Sequence, residues 1–207
     1  QNRKSDTESL AMDSGFAYLG VEGANDILRV DYARSGMLSL SADIAVPPAM
    51  KRWPGNAGPE GVAVAPKGTP LAGTIVTVAE NSRAGKSLTE GFLIGGPTPG
   101  SFLVETPGRY AISDLAFLAD GDLLLLERRI GFGLSMRIRR VASSDIKPGA
   151  RLSGTTLIDG SMGGWTDNME GLAVSRSPSG ETVLTLIADN NFMFFQRTLL
   201  LRFTLKQ

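Results

Sequence analysis

Among the side chains able to do chemistry in this chain, the carboxylates recur. Four acids head copies of one short pattern of acid, small residue, apolar, Ala, apolar. The copies are Glu8-Ser9-Leu10-Ala11-Met12, Glu60-Gly61-Val62-Ala63-Val64, Asp114-Leu115-Ala116-Phe117 and Glu170-Gly171-Leu172-Ala173-Val174. The third copy lacks the small residue, so its register is off by one. The acids stand 52, 54 and 56 residues apart. A second acid closes the next apolar run of each copy: Glu22, Glu80, Glu127 and Asp189. Carboxylates gathered at close range cannot all stay ionised unless a cation or basic groups neutralise them. Hard oxygen ligands of this kind suit Ca²⁺. Asn56 and Asn168, just upstream of two of the acids, would add neutral amide oxygens. The expected metal set is therefore Glu8, Glu22, Asn56, Glu60, Glu80, Asp114, Glu127, Asn168, Glu170 and Asp189. The competing reading makes these acids strand caps, acceptors of backbone N–H bonds, or partners of arginine.

Composition narrows the chemistry further. The 207 residues include no His and no Cys. That excludes an imidazole base, a Ser-His-Asp triad, a thiol nucleophile and His- or Cys-ligated zinc. Lys and Arg total 21, and Asp and Glu total 21. A zero net charge argues against a general nucleic-acid binder, which carries a basic excess. Arg128, Arg129 and Arg197 stand near the acidic positions and could relieve their repulsion or hold an anionic substrate through forked hydrogen bonds. A phosphate-hydrolysing arrangement follows. Calcium would hold phosphate oxygens and acidify a bound water. Glu60 or Glu170 would act as general base. Arg128 or Arg197 would balance phosphoryl charge. Arg129, Asn190 and Asn191 are the candidate substrate-binding residues.

Elements that repeat must hold these residues in place. After each acid-headed pattern comes a turn rich in Gly, Asp, Ser or Pro, then further apolar runs: Phe16–Val21, Thr74–Ala79, Leu123–Leu126 and Val183–Ala188. Ile27-Leu28-Arg29-Val30-Asp31-Tyr32 and Met136-Arg137-Ile138-Arg139-Arg140-Val141 alternate as strands do. Candidate fourth strands are Leu38–Val46, Phe102–Thr106 and Leu152–Ile158, and the last repeat has none before Gln207. The expectation is an all-β single domain over 1–207: a β-propeller of four-stranded antiparallel blades, four of them recognisable, in repeats of about 6–58, 59–111, 112–167 and 168–207. A β-sandwich would not explain acids at one phase of a repeat. The missing closing strand makes the propeller look incomplete at its N-terminus, because an unpaired edge is a liability. No apolar run reaches the ~18 residues of a membrane span, and the polar start at Gln1 is unlike a signal peptide. Ala84-Gly85-Lys86-Ser87 reads as a loop and Lys51-Arg52-Trp53 as a packed loop. Phe192, Phe194 and Phe195 read as closure packing or a hydrophobic rim.

Several of these segments resemble one family. Asn168-Met169-Glu170-Gly171-Leu172-Ala173-Val174, with Asp189-Asn190-Asn191-Phe192 and Gln196-Arg197-Thr198-Leu199-Leu200, is similar to the C-terminal blade of the phytase-like, "esterase-like activity of phytase" proteins. Pro47-Pro48, Arg52, Pro54-Gly55-Asn56 and Glu60 resemble an earlier blade junction of that family, and Leu124-Leu125-Leu126-Glu127-Arg128-Arg129 resembles the next. The resemblance implies a β-propeller, exported to the periplasm or secreted from bacteria, acting as a phosphoester or ester hydrolase on a small anionic ester. Family members start with a signal peptide and a further blade carrying a Ser-Asp-Arg-Gly type segment, which this sequence lacks. Two other functions remain open: a non-catalytic propeller that binds a ligand or protein, and a calcium-dependent lactonase.

Overall fold

The computed structural model describes residues 6–32, 39–54, 57–80, 87–131, 133–160 and 166–206. The first sheet holds β1 (Thr7–Asp13), β2 (Phe16–Val21), β3 (Asp26–Asp31) and β4 (Ser39–Ile44) in simple up-and-down order. The second holds β5 (Pro59–Val64), β6 (Ile75–Ala79), β7 (Leu88–Ile94) and β8 (Gly100–Glu105). The third is built from β9 (Ala111–Phe117), β10 (Leu123–Gly131), β11 (Gly133–Val141) and β13 (Thr155–Asp159), and β12 (Arg151–Leu152) leaves it to pair parallel with β8. The fourth has β14 (Met169–Arg176), β15 (Thr182–Ala188) and β16 (Leu200–Leu205). Each innermost strand lies against the next, β1 on β5, β5 on β9 and β9 on β14. This is a four-bladed β-propeller, as the repeat predicts. The expected strand at Leu152–Ile158 is the one that differs. It is divided between two blades, with Gly154 at φ +72° where the chain changes direction.

Blades are held mainly by apolar seams, and the pairing of β12 with β8 adds a short backbone ladder between the second blade and the third. Ile27 with Met50, Trp53, Val62, Ile75 and Phe92 fills the seam between the first two blades. Val76, Val78, Phe102, Ile112, Leu123 and Leu125 fill the second seam. Leu124, Leu126, Met136, Met169, Leu184 and Leu186 fill the third. The four-leucine run explains itself here. Leu123 and Leu125 point to one neighbouring blade, Leu124 and Leu126 to the other, and all four are fully buried. A strand covered on both faces has no reason to alternate. Of the expected packed loop Lys51-Arg52-Trp53, the first two residues are exposed in a short 3₁₀ helix over Met50–Arg52, and Trp53 is buried against Phe92 with its indole N–H donating to Glu90.

One irregularity recurs in every blade and decides the site. The pairing of the innermost strand with the second slips by one residue near its start. The extra residue is Glu8, Glu60 and Glu170 in the first, second and fourth blades. In the third blade it is Ser113, since Asp114 pairs with Leu126 and Ile112 with Glu127. A β-bulge of this kind bends the strand and re-aims a side chain, and bulges concentrate beside functional sites.

Candidate functional site

The bulges turn three glutamates to one end of the propeller. The antiparallel register brings the ends of the second strands beside them, with Thr7 opposite Val21, Pro59 opposite Ala79 and Met169 opposite Ala188. The next residues are Glu22, Glu80 and Asp189. In the third blade Glu127 occupies the position of Val21, Ala79 and Ala188, so Arg128 is the equivalent of Glu22 and Glu80. One guanidinium thus enters a ring of carboxylates.

Arg128 organises what surrounds it. Its Nη1 donates to Glu170 Oε1 at 2.9 Å and Asn168 Oδ1 at 3.1 Å, and its Nη2 to Glu80 Oε1 at 3.1 Å. Asn168, itself buried, returns a hydrogen bond from Nδ2 to Glu170 Oε1. The guanidinium thereby ties blades two, three and four together at the mouth. The acids beside it hold its pKa above the ordinary arginine value even though burial works the other way.

Glu60 is the most perturbed group. It is only 7% exposed, and no hydrogen bond reaches its carboxyl among the described residues. Burial, then the charges of Glu80 and Glu8, push its pKa up to about 8 against the relief that Arg128 supplies. Glu60 is therefore largely protonated at neutral pH. Burial, the Glu22 charge and a hydrogen bond with the Asp6 carboxyl raise Glu8 to about 6. Glu22 is raised mainly by burial, against a hydrogen bond from the Gly58 N–H that lowers it. Asp6, Glu8 and Glu22 can bring one oxygen each within 4.8 Å of one another. The repeated pattern does not mark Asp6, which precedes it by two residues.

Other predicted residues are placed elsewhere. Asp114 is one residue out of phase with the bulged glutamates. It lies in the seam between β9 and β14, accepting the Leu115 N–H at 2.8 Å and the Leu172 N–H at 2.7 Å. Burial lifts its pKa to about 7, and those two N–H groups limit the rise. Glu127 is fully buried inside the third blade, with Arg137 Nε at 2.6 Å, Arg139 Nε at 2.8 Å and Arg139 Nη2 at 2.7 Å. Arg129 lies over the Tyr110 ring, 4.8 Å from its centroid. Arg197 is more than half exposed and pairs with the buried Asp167, which also accepts its backbone N–H at 3.0 Å. Asp189 and Asn190 accept the N–H groups of Asn191 and Phe192, and Asn191 reaches Gln196, so this segment folds on itself. Phe192 and Phe194 are fully exposed and pack against no blade among the described residues. Asn56 and the Ala84-Gly85-Lys86 part of the small loop lie outside the described residues.

The fold and this mouth define a class: a β-propeller whose innermost strands present carboxylates at one end of the axis. A family model described as "Esterase-like activity of phytase" (phytase-like) matches residues 1–192. The chain belongs to the phytase-like family, and that description points to hydrolase-type function. A crystallised protein of unknown function from Bacteroides caccae is similar to it at 11% identity and a TM-score of 0.45. The alignment covers 95% of this chain and 60% of that one, so this chain spans about three fifths of that protein. No match among curated proteins was found.

Proposed function

We propose that this protein hydrolyses an ester bond, in a phosphoester or related small anionic ester, at the carboxylate mouth. The observation that carries the reading is Glu60, a buried carboxyl without a hydrogen bond among the described residues, whose pKa burial and the charges of Glu80 and Glu8 push up to about 8 within the field of the Arg128 that anchors Glu170. Two carboxyl groups in different environments can divide acid and base duties. Glu60 donates its proton to the leaving oxygen as the ester bond breaks. Glu170, oriented by Arg128 and Asn168, accepts the proton of the attacking water. Arg128 already bonds three groups, so it positions Glu170 more than it receives substrate.

A hard divalent cation such as Ca²⁺ fits at Asp6, Glu8 and Glu22. Their oxygens lie close enough that Asp6 and Glu8 share a hydrogen, which a cation would replace. When bound, the ion would offset negative charge on the substrate and at the mouth. An anionic substrate needs that offset, because the described mouth holds more carboxylates than its one guanidinium balances.

A hydrolysis screen tests the reading, using nitrophenyl phosphate, phytate, a nitrophenyl ester and a lactone, each with and without Ca²⁺. Turnover of at least one substrate that falls by roughly 100-fold in Glu60→Gln and in Glu170→Gln is expected. Unchanged turnover in both variants defeats the assignment.

A further inference from the structure

Glu170 is held at one oxygen only. Arg128 Nη1 and Asn168 Nδ2 both donate to Oε1, and no donor reaches Oε2 among the described residues. The side chain is 35% exposed, so packing alone does not fix where Oε2 points. Asn168 is the more exacting of the two holds. Its Oδ1 accepts from Arg128 while its Nδ2 donates to Glu170, and only one orientation of the amide satisfies both. Asn168 is in turn fixed through its main chain. Its backbone N–H donates to Asp167 Oδ1 at 2.9 Å. Asp167 Oδ2 accepts the Arg197 backbone N–H at 3.0 Å, with Arg197 Nε at 3.5 Å. Asp167 is buried, and Thr166 before it donates from Oγ1 to the Gly160 carbonyl at 3.3 Å. One carboxylate thus joins the residues leading into β14 to those leading into β16.

We infer that Asp167 is a positioning residue for Glu170, acting through Asn168, and that Arg197 serves the mouth by fixing Asp167. This rests on the reading of Glu170 as the base, and it adds which oxygen does the work. Two donors fill the lone pairs of Oε1, so Oε2 accepts the proton of the attacking water. A base works only within hydrogen-bond reach of the proton it takes, so the aim of Oε2 matters as much as its presence. When Asn168 turns, its hold on Oε1 is lost and the half-exposed carboxylate can swing. Such a loss acts on orientation and not on substrate binding. Asp167 is 3% exposed, so it offers nothing for a substrate to touch. A tie that served only to join the two strands would act on stability and leave the reaction alone.

The test is a double-mutant cycle on the full chain, read with the nitrophenyl phosphate or nitrophenyl ester that the hydrolysis screen turns over. Asp167→Asn keeps the shape of the side chain but sets an amide NH₂ against a backbone N–H. We expect it to lower kcat by roughly tenfold and to change KM by less than about twofold. Added to Asn168→Ala, which has already cut the relay, the same change lowers kcat by less than about twofold further. An unchanged kcat in Asp167→Asn, or losses that multiply in the double variant, overturns the positioning role. Should Asp167→Asn not fold, Arg197→Gln at a mostly exposed side chain carries the same cycle, with a fall in kcat of roughly threefold expected and no fall as the overturning result. The NMR signals of the Asn168 side-chain NH₂, assigned by their loss in Asn168→Ala, separate this failure from that of the hydrolase reading. No ester turned over, with those signals moved by both Asp167→Asn and Glu170→Gln, keeps the tie from Asp167 to Glu170 and rejects the hydrolase. Turnover lost in Glu170→Gln, with kcat and the NH₂ signals unmoved in Asp167→Asn, does the reverse.

Discussion

Glu60 concentrates the chemistry of the mouth in one carboxyl. Its folded pKa of about 8 exceeds the ordinary 4.5, so the native state holds a proton that the unfolded chain releases through the intervening range. Stability is then fully present below about pH 4.5 and is lost as pH rises through 8. Asp114, raised to about 7, acts in the same direction. Glu60→Gln removes the largest part of this dependence. Denaturant titrations at pH 5 and pH 8.5 are expected to show the wild type losing on the order of 3 kcal/mol more than the variant between those values. The same substitution removes the proposed proton donor, so the variant is expected to gain alkaline stability and to lose the proposed hydrolysis. Equal pH dependence in the two proteins contradicts the assignment of the proton to Glu60.

The strand is where spacing becomes orientation. A bulge inserts one residue without a partner, and everything before it changes face relative to everything after it. Glu8, Glu60 and Glu170 are legible in the sequence because the residue after each bulge is small, Ser or Gly. Gly61 shows why: a Cβ there would meet Leu115 Cγ of the next blade at 2.5 Å. Gly61→Ala is expected to cost about 1–3 kcal/mol in equilibrium unfolding, as overpacking at a tight seam does. The third blade breaks the pattern, because Asp114 fills the small position and bonds across the seam while Ser113 takes the bulge. With Asp114 at the small position, the second set also shifts by one, and Arg128, not Glu127, is the equivalent of Glu22 and Glu80. Glu127 belongs to the blade interior. Glu127→Gln leaves Arg137 and Arg139 short of a charge partner and is expected to lower stability by about 3–5 kcal/mol. Arg139 also donates to the Glu105 carbonyl, so hydrogen exchange should quicken at the seam between the second and third blades as well as within the third.

At the scale of the molecule, four blades that differ in detail meet at one mouth, and the mouth is out of charge balance. That imbalance has a measurable consequence. Ca²⁺ at about 100 times its Kd is expected to stabilise the protein by about 2.7 kcal/mol if it binds the folded chain alone. The rise in thermal midpoint should disappear on chelation and be absent in an Asp6→Asn/Glu22→Gln double variant. No rise in the wild type rejects the cation and leaves the carboxylate pair to act without it. The blade seams are continuous from first to fourth, whereas the first and fourth blades face each other across a cavity that meets the mouth.

The sequence by itself determined the class of fold, the repeat and the kind of chemistry. Short apolar runs between Gly, Asp and Ser turns specify strands, a repeat near 54 residues specifies blades, and the absence of His and Cys leaves carboxylates and oxygen-bound metals. These are local or compositional properties, carried by each segment on its own. The tertiary structure alone decided which acids share the mouth. Glu8, Glu60 and Glu170 meet because bulges in separate blades turn them to one axis, Asp6 joins them through the turn of the first blade, and Arg128 replaces an acid because the third blade slips by one residue. The pKa of Glu60 is likewise a property of the assembled mouth. Burial and the field of groups from neighbouring blades set it, and no stretch of sequence contains either.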